Sequence, residues 1–293
     1  MICALKRFVA SDMLLSFNDM DMEIHFINVG CGNMTLLRFP NGTTWLYDCN
    51  VIDEDEEAVL GYLGRVLGEG GQIDVFICSH RDADHMNGIK KVHAMFPISK
   101  IRDNDVEGTT TDSSEYRDYM ELRRELPGGP IARLTYIDVG EVKVRWMNSK
   151  DDRLADPNEQ SVVAKVEYKG CSLLLAGDTS FREWREVIMP SYSAEKIKSS
   201  ILLGAHHGSL TFFDDPDDTK SYYTEHIQAI KPAMTIISVG PNAHGFPDAK
   251  AVELYEKYST GSDKGNKVFS TEDKGNMKLT FKSDGTWSLS SNQ

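Results

Sequence analysis

In Ser79-His80-Arg81-Asp82-Ala83-Asp84-His85-Met86-Asn87-Gly88, four candidate metal ligands lie within six residues. Imidazole and carboxylate groups at this spacing can converge on divalent cations from one tight loop. The preceding run, Ile73-Asp74-Val75-Phe76-Ile77-Cys78, is mostly apolar and predicts a buried strand. A loop that leaves such a strand is a frequent place for an active site. The alternative interpretation is a solvated polar loop with incidental histidines, because acidic loops are common on protein surfaces.

Two later segments favour the metal-site interpretation. Leu173-Leu174-Leu175-Ala176-Gly177-Asp178 is an apolar strand that ends on Gly-Asp, and Ile201-Leu202-Leu203-Gly204-Ala205-His206-His207-Gly208-Ser209 ends on a histidine pair. Each segment offers a metal donor where a strand stops and a loop opens. Three such strand ends in succession predict a metal site rather than an ordinary surface loop.

With its motifs in this order, the chain resembles the metallo-β-lactamase superfamily, whose H-x-H-x-D-H loop, later Gly-Asp and later histidine build a dinuclear site between two β-sheets. The opening His25-Phe26-Ile27-Asn28-Val29-Gly30-Cys31-Gly32-Asn33 resembles the H-F-I-D-V-G-Q-G-D of ComEC-like proteins, which are the soluble hydrolase domain of the DNA-uptake channel and its free-standing relatives. The resemblance covers residues 23–283. Four further segments fit this branch: Asn158–Val163, His206–Ser209, Ile236–Asn242 and Lys267–Thr271.

The chain departs from the family pattern at several positions. Asp82 stands where the superfamily loop has its second histidine, which makes the first metal site richer in oxygen. Asn28 and Cys31 replace the usual Asp and Gln of the opening motif. The segment His244-Gly245-Phe246-Pro247-Asp248 resembles H-P-H-P-E with Phe246 in place of a histidine, which removes one substrate contact.

The resemblance implies two divalent metal ions, zinc or manganese, with Asp178 as the bridging ligand. It assigns the first ion to His80, Asp82 and Asp178, and the second to Asp84, His85, Asp178 and His207. Two such ions about 3.5 to 4 Å apart share a water molecule and lower its pKa towards neutrality. The third ligand of the first ion stays open between Asn158, Ser161 and water.

The resemblance also implies roles for residues around the ions. His206 is expected to contact the phosphate or to act as the leaving-group acid, although one histidine of the pair could instead serve packing. His25 is expected to be structural, and His93 and His226 are expected on helix surfaces. The predicted catalytic residues are Asp84, Asp178 and His206, and the predicted substrate-binding residues are Asn33, His206, Ser209 and His244.

The periodicity of apolar residues predicts an α/β protein. Runs of strands with helices between them indicate two mixed sheets flanked by helices, the αββα sandwich that the resemblance also implies. We expect an N-terminal extension over residues 1–22 and one hydrolase domain over 23–290. Residues 104–130 interrupt the pattern and are expected to cap the active site, with a decorative surface helix as the alternative. Strands are predicted at 23–29, 34–39, 43–48, 73–78, 131–138, 141–147, 161–168, 171–177, 200–204, 234–239, 266–270 and 276–282, and helices at 54–67, 88–95, 113–126, 181–188, 220–230 and 247–258.

The composition constrains where the protein works and what it binds. No run of about 18 apolar residues occurs, and Lys6 and Arg7 interrupt what would be the apolar part of a signal peptide. The five cysteines show no C-x-x-C pair, which favours a cytoplasmic, reduced setting without a membrane segment. The formal net charge is −13, and two dications would add +4 and leave −9. This charge argues against strong duplex binding, which depends on phosphate neutralisation by Lys and Arg.

These features predict a metal-dependent phosphodiester hydrolase, with nuclease activity as the first expectation and a nucleic acid or nucleotide as the partner. One alternative is a phosphodiesterase for a cyclic nucleotide or another small phosphoester. The other, from a different class, is a weakly catalytic accessory protein that binds a nucleotide. β-Lactam hydrolysis is the least favoured activity, because no secretion signal is present and Asp82 belongs to other branches.

Overall fold

The computed structural model describes residues 20–218, 221–261 and 267–292. The predicted N-terminal extension lies outside these ranges except for its last three residues, and Met22 already belongs to the first strand. The strands are β1 (Met22–Phe26), β2 (Thr35–Arg38), β3 (Thr44–Tyr47), β4 (Cys49–Asn50), β5 (Val75–Ile77), β6 (Ile101–Asp103), β7 (Gly128–Pro130), β8 (Thr135–Val139), β9 (Val142–Trp146), β10 (Ala164–Tyr168), β11 (Cys171–Leu175), β12 (Ile201–Leu203), β13 (Met234–Ile237), β14 (Val268–Ser270), β15 (Asn276–Phe281) and β16 (Trp287–Asn292).

Helices connect and flank these strands. They are α1 (Glu56–Leu67), α2 (Ala83–Met86), α3 (Ile89–Met95), α4 (Ser114–Glu125), α5 (Phe181–Glu183), α6 (Met189–Ser191), α7 (Ala194–Ile197), α8 (Glu225–Ile230), α9 (Ala249–Tyr258) and α10 (Thr271–Lys274). A π-turn over Trp184–Ile188 joins α5 to α6. None of the described helices combines the length and the apolar character that a membrane span requires.

Two mixed sheets form the centre of the fold. The first has the order β16-β15-β1-β2-β3-β5-β6-β7, and the second has the order β14-β13-β12-β11-β10-β9-β8. In the first sheet, β3, β5, β6 and β7 are parallel. In the second sheet, β11, β12, β13 and β14 are parallel. Each sheet therefore has a parallel half, and the chain leaves the strands of that half along one edge.

Alternating side chains bind the two sheets together. In β11, Leu173 and Leu175 pack into the core between the sheets, whereas Leu174 packs against the outer helices. Because successive side chains of a strand point to opposite faces, a fully apolar strand is the expected sequence for a sheet covered on both sides. Trp45 of the first sheet stacks on Trp146 of the second, with 6.0 Å between ring centroids and 8° between ring planes.

Helices cover the outer face of each sheet, so the predicted αββα arrangement is confirmed. Val59 and Leu63 of α1 and Tyr119 of α4 pack on the first sheet. Ile227 of α8 and Leu254 of α9 pack on the second.

The predictions for two histidines outside the metal-site motifs had opposite outcomes. His25 is buried and bonds to the Tyr62 hydroxyl at 2.9 Å, so its structural role is confirmed. The surface position predicted for His226 is wrong, because its side chain is fully buried. Its ring stacks on Tyr223 at 5.0 Å and also meets Phe212 at 4.2 Å. The six residues of α8 turn this histidine towards the sheet, and aromatic neighbours make the site suitable for a neutral imidazole.

Candidate metal centre

The predicted metal donors meet at the carboxyl ends of parallel strands from both sheets. Asp48 follows β3, and the loop from His80 to His85 follows β5. Asp178 follows β11, and the pair of His206 and His207 follows β12. Ligand sites of layered α/β proteins form at such strand ends, because the loops there converge on one edge. The edge shared by the two sheets therefore assembles residues that are far apart in sequence.

Four of these residues form a tight group. The ligand atoms of Asp84, His85, Asp178 and His207 all lie within 4.8 Å of one another. The Nε2 atom of His207 lies 3.1 Å from Asp84 Oδ2 and 3.4 Å from Asp178 Oδ2. The Nε2 atom of His85 lies 3.3 Å from Asp178 Oδ2. This is the residue set that the sequence assigns to the second ion.

Hydrogen bonds behind the rings determine which nitrogen faces the group. The Nδ1 atom of His207 lies 2.9 Å from the carbonyl oxygen of Ser238, and Nδ1 of His85 lies 2.8 Å from Asp48 Oδ2. Both oxygens only accept hydrogen bonds, so Nδ1 carries the proton in each ring. The Nε2 atoms of His85 and His207 then present lone pairs, and both are buried without a hydrogen-bond partner among the residues that the structure describes.

Lone pairs that face carboxylates in a buried site are unfavourable unless a cation lies between them. Two imidazoles and two carboxylates are suitable donors for zinc or manganese. The residues present therefore fit a divalent metal ion, and the fixed tautomers match the pattern in which metal-binding histidines donate Nδ1–H to an oxygen.

Protons can take the place of a cation in this group. Burial alone lowers the pKa of His85 and of His207, but the carboxylate of Asp178 outweighs it and raises both pKa values well above the ordinary range. Burial acts in the opposite direction on Asp84 and Asp178, yet the neighbouring histidines lower both carboxyl pKa values. Metal ions and protons therefore compete for the same imidazole nitrogens.

The first site is more open. The Nε2 atom of His80 lies 4.0 Å from Asp178 Oδ2 and 3.9 Å from Asp82 Oδ2. Ser161 Oγ lies 3.3 Å from Nδ1 of His80, which places this hydroxyl behind the ring rather than beside Nε2. Asn158 instead lines the groove that contains Asp178 and His206, and in the described part of the chain its buried Oδ1 has no hydrogen-bond partner.

A strained turn carries the paired histidines to Asp178. His206, His207 and Gly208 have φ values of 47°, 52° and 83°, so three consecutive residues are left-handed. This conformation costs roughly 1–2 kcal/mol for each residue with a side chain. As a result, Nε2 of His206 also approaches Asp178 Oδ2, at 3.8 Å. A Cβ atom on residue 208 would lie 2.6 Å from Pro247 Cβ, which explains the glycine.

Asp48 was not identified from the sequence, although it organises the centre. It is fully buried and accepts hydrogen bonds from Ser79 N at 2.6 Å, Ser79 Oγ at 2.9 Å and Asn33 Nδ2 at 3.0 Å, besides that from His85. Ser79 Oγ in turn lies 3.0 Å from Nδ1 of His80. The residue therefore orients a histidine of each site. The signal for it was an apolar strand that ends on aspartate, as at Asp178.

The predicted substrate-binding residues lie at different distances from the centre. Asn33 is buried, and its amide donates to Asp48, so it stands behind His85. Ser209 is buried and accepts a hydrogen bond from Thr211 Oγ1 at 3.0 Å, and that hydroxyl lies 3.3 Å from Nδ1 of His206. His244 is exposed and stacks on Phe246, whose ring is 5.4 Å from that of His206.

A groove of about 210 Å³ extends from Asp178 and His206. Of the described residues that line it, Arg182 is the one basic residue apart from His206, and no sequence pattern indicated this position. The Arg182 guanidinium lies 3.9 Å from Glu159 Oε1, which is too long for a strong ion pair. Asp156, Glu159 and Asp214 also line the groove, so carboxylates outnumber the guanidinium.

The segment predicted to cap the site divides into two parts. Its first part meets the metal loop, where Thr109 N donates to Asp82 Oδ1 at 2.7 Å. Its second part contains α4, whose Tyr119 and Leu122 are buried in the outer core of the first sheet, and the edge strand β7. Asp103, just before the segment, binds Arg81 and the Tyr119 hydroxyl.

Comparison with known proteins agrees with this geometry. The family model of the metallo-beta-lactamase superfamily matches residues 28–218. The chain belongs to this superfamily. Its members are mostly metal-dependent hydrolases that bind two divalent ions. The comparison with curated proteins gives no match.

Solved structures show the same fold at low sequence identity. The metallo-beta-lactamase fold protein YhfI from Bacillus subtilis is 13% identical with a TM-score of 0.51, and the match covers 92% of this chain and 100% of that one. CmlA, a diiron β-hydroxylase from Streptomyces venezuelae, is 13% identical with a TM-score of 0.52. That match covers 90% of this chain and 54% of CmlA, so the chain spans about half of CmlA. At this sequence identity the structural similarity shows the fold alone. The reaction has to be inferred from the residues of the site.

Proposed function

We propose that this protein is a metal-dependent phosphodiester hydrolase of the ComEC-like branch, acting through a dinuclear centre. The observation that carries the proposal is the position of Asp178. Its Oδ2 atom lies within 4.0 Å of four imidazole nitrogens, those of His80, His85, His206 and His207. One carboxylate oxygen shared by two groups of donors is the arrangement expected of a bridging ligand.

The proposed ligands are His80, Asp82 and Asp178 for one ion, and Asp84, His85, Asp178 and His207 for the other. When bound, two divalent ions supply a water of lowered pKa and hold the attacking and leaving oxygens of a phosphodiester. Zinc and manganese both suit imidazole and carboxylate donors. Asp84, whose side chain is partly exposed, is proposed to accept a proton from the attacking water.

His206 is proposed to donate the proton to the leaving oxygen. Its ring is partly exposed, lines the groove and has Nδ1 beside the Thr211 hydroxyl, so Nε2 is directed towards Asp178. Ser209 holds Thr211 and thereby positions the ring. Arg182 is proposed to bind a non-bridging phosphate oxygen, because a guanidinium pairs well with phosphate. His244 is proposed to contact the outer part of the substrate beyond Phe246.

The groove favours a small phosphodiester over a nucleic acid. Carboxylates of Asp156, Glu159 and Asp214 line the groove beside Arg182, and they oppose a second phosphate close to the scissile one. The volume of about 210 Å³ is below the range of roughly 300–1,000 Å³ that is usual for drug-sized ligands. Nuclease activity remains the alternative. The capping role is proposed for residues 104–112, because Thr109 in this segment donates to Asp82.

Metal analysis and a substrate panel test the proposal. The wild-type protein is expected to bind close to two divalent ions, and Asp178→Ala is expected to lose both most of the metal and the activity. Asp151→Asn is the matched control, because Asp151 is buried and pairs with Arg133 and Arg153 away from the centre. Full metal content in Asp178→Ala would contradict the bridging role.

The panel comprises bis-p-nitrophenyl phosphate, cyclic nucleotides, RNA, single-stranded DNA and duplex DNA. We expect turnover of the activated diester and of cyclic nucleotides to exceed that of the polymers. Faster cleavage of DNA than of any small diester would favour the nuclease. Two bound ions without turnover of any substrate would contradict a hydrolase and favour a nucleotide-binding accessory protein.

A further inference from the structure

A second cavity lies at the opposite end of the strands that carry the metal centre. Its volume is about 440 Å³. Asp178 and the histidine pair follow the carboxyl ends of β11 and β12, whereas this cavity is bordered by the amino ends of β11, β12 and β13. We call it the lysine pocket, after four lining residues: Lys165, Lys169, Lys198 and Lys231.

The lysine pocket concentrates positive charge in an acidic protein. Among the described residues that line it, four lysines face Glu167 and Glu195, which gives two more positive than negative charges, while the whole chain carries −13. Lys165 and Lys169 already have carboxylate partners, Glu167 at 3.2 Å and Glu141 at 3.1 Å. Within the described ranges, Lys198 and Lys231 make no ion pair. Two ammonium groups are thus available at the mouth of one cavity.

The backbone position of Lys231 is unusual for lysine. It ends α8 in the left-handed conformation, with φ 50° and ψ 53°. Glycine or asparagine is the usual residue at such a position, because other side chains are strained there. At this position the N–H of Lys231 ends the helix by donating to Ile227 O at 2.8 Å. The side chain makes no contact with the described residues that would withhold its ammonium group from a ligand.

Two serine hydroxyls add donors to the same pocket. Ser200 N donates to Ser172 Oγ at 3.0 Å, and Ser172 N donates to Ser200 Oγ at 3.2 Å. This reciprocal pair joins the starts of β11 and β12 and uses each hydroxyl oxygen as an acceptor. In the described part of the chain, neither hydroxyl proton has an acceptor. Both protons are therefore available to an anionic ligand.

Trp287 supplies an aromatic wall. It lines the lysine pocket and is partly buried, because it also packs against the core between the sheets. A fixed indole ring is a suitable platform for stacking a planar heterocycle. The volume of about 440 Å³ falls within the usual range for small-ligand sites.

We infer that the lysine pocket binds a nucleoside monophosphate, with the phosphate on Lys198, Lys231 and the serine hydroxyls and the base against Trp287. Ammonium groups bind phosphate through charge-assisted hydrogen bonds, which are the strong ones in proteins. The site is separate from the metal centre and does not depend on the reaction proposed there.

Calorimetric titration of the metal-loaded protein tests this inference, with AMP, adenosine and inorganic phosphate as separate probes. AMP is expected to bind with one site per chain and more tightly than either adenosine or phosphate, because only AMP engages both walls. In Lys198→Glu/Lys231→Glu, AMP affinity is expected to fall at least 10-fold. The metal content and the rate with bis-p-nitrophenyl phosphate are expected to stay within twofold of wild type.

Lys100→Glu/Lys150→Glu is the matched control, since it makes the same charge change at exposed lysines outside the pocket. It is expected to bind AMP like the wild type, and thermal melting of both double variants confirms that they are folded. Equal AMP affinity in the wild type and in Lys198→Glu/Lys231→Glu would place AMP elsewhere and overturn the inference. An equal loss in both double variants, or no saturable binding of AMP, would also overturn it.

Discussion

Replacing Asp48 by asparagine tests how the metal centre is organised, because the change removes a charge but almost no volume. Asp48 has φ 58°, a left-handed value that asparagine tolerates, so Asp48→Asn adds no backbone strain. One oxygen of Asp48 accepts from Ser79 N. The other accepts from Ser79 Oγ, Asn33 Nδ2 and His85 Nδ1.

The amide of asparagine can satisfy only one of these two sides. If its oxygen keeps the backbone N–H of Ser79, its NH₂ group faces Nδ1 of His85. Nδ1 of His85 can accept a hydrogen bond from this NH₂ group only if the ring proton moves from Nδ1 to Nε2. A protonated Nε2 cannot bind a metal. If the amide turns the other way, a buried N–H of Ser79 loses its acceptor, at a cost of roughly 1–3 kcal/mol. The first arrangement removes a metal-binding lone pair from the second site, and the second destabilises the loop that carries the ligands.

The expected size of the effect follows from this geometry. Loss of a group that orients a metal-binding histidine typically lowers metal affinity about 10- to 100-fold. This corresponds to about 1.4 to 2.7 kcal/mol of binding free energy. His80 also depends on Asp48 through Ser79 Oγ, so both ions are expected to bind less tightly.

Competition with a chromophoric chelator measures both affinities for Asp48→Asn, for the wild type and for the control Asp151→Asn. The control removes a buried carboxylate charge that contacts Arg133 and Arg153 and no histidine. Metal affinity of Asp48→Asn within twofold of wild type would refute the tautomer argument. The same would follow if Asp151→Asn lost as much affinity as Asp48→Asn.

Three further predictions concern the paired histidines, pH and the loop beside the metal site. His207→Ala is expected to lose the second ion, whereas His206→Ala is expected to keep both ions and lose turnover by roughly 10²- to 10⁴-fold. Metal analysis and turnover rates of both variants test these roles, and the reverse pattern would exchange them. Burial lowers the pKa of His226 to about 3, so the unfolded chain takes up a proton below pH about 6.5 that the folded protein excludes. His226 should therefore contribute a fall in stability of about 2 kcal/mol from pH 7 to pH 5, and in urea unfolding the fall should be smaller by that amount in His226→Phe. An equal fall in the variant would contradict this. Replacing 104–112 by a Gly-Ser connection is expected to preserve cleavage of bis-p-nitrophenyl phosphate and to change the ranking of larger substrates, and an unchanged ranking would exclude the capping role.

Most of the fold could be predicted because buried strands leave a clear pattern of apolar residues. Each strand predicted from the sequence corresponds to an observed strand, usually shortened at its ends. Four strands were missed: β4 and β6 have only two and three residues, and β7 and β16 carry little of that pattern. β7 is Gly128-Gly129-Pro130 and joins the sheet edge through its backbone. β16 alternates serines with Trp287 and Leu289, and it pairs only with β15.

The motifs predicted a metal site between the sheets, and the structure brings Asp84, His85, Asp178 and His207 together there. Asp48 and Arg182 were missed for different physical reasons. Asp48 ends a strand like Asp178 does, but a single aspartate without nearby histidines does not indicate a site. Arg182 lies in the short helix α5, and its position at the groove depends on packing that no local pattern encodes.

The charges around the centre explain why its carboxylates are arranged on strand ends of two sheets. Asp48, Asp82, Asp84 and Asp178 place four negative charges in a small and mostly buried space. Two divalent cations would neutralise them, whereas without cations the histidines must hold protons to offset the same charge. Since an uncompensated buried carboxylate is strongly unfavourable, metal binding stabilises the edge where the two sheets meet. The proposed catalytic centre is therefore also a link between the two sheets, because the loop after β5 carries His80, Asp82, Asp84 and His85 and the second sheet carries Asp178 and His207.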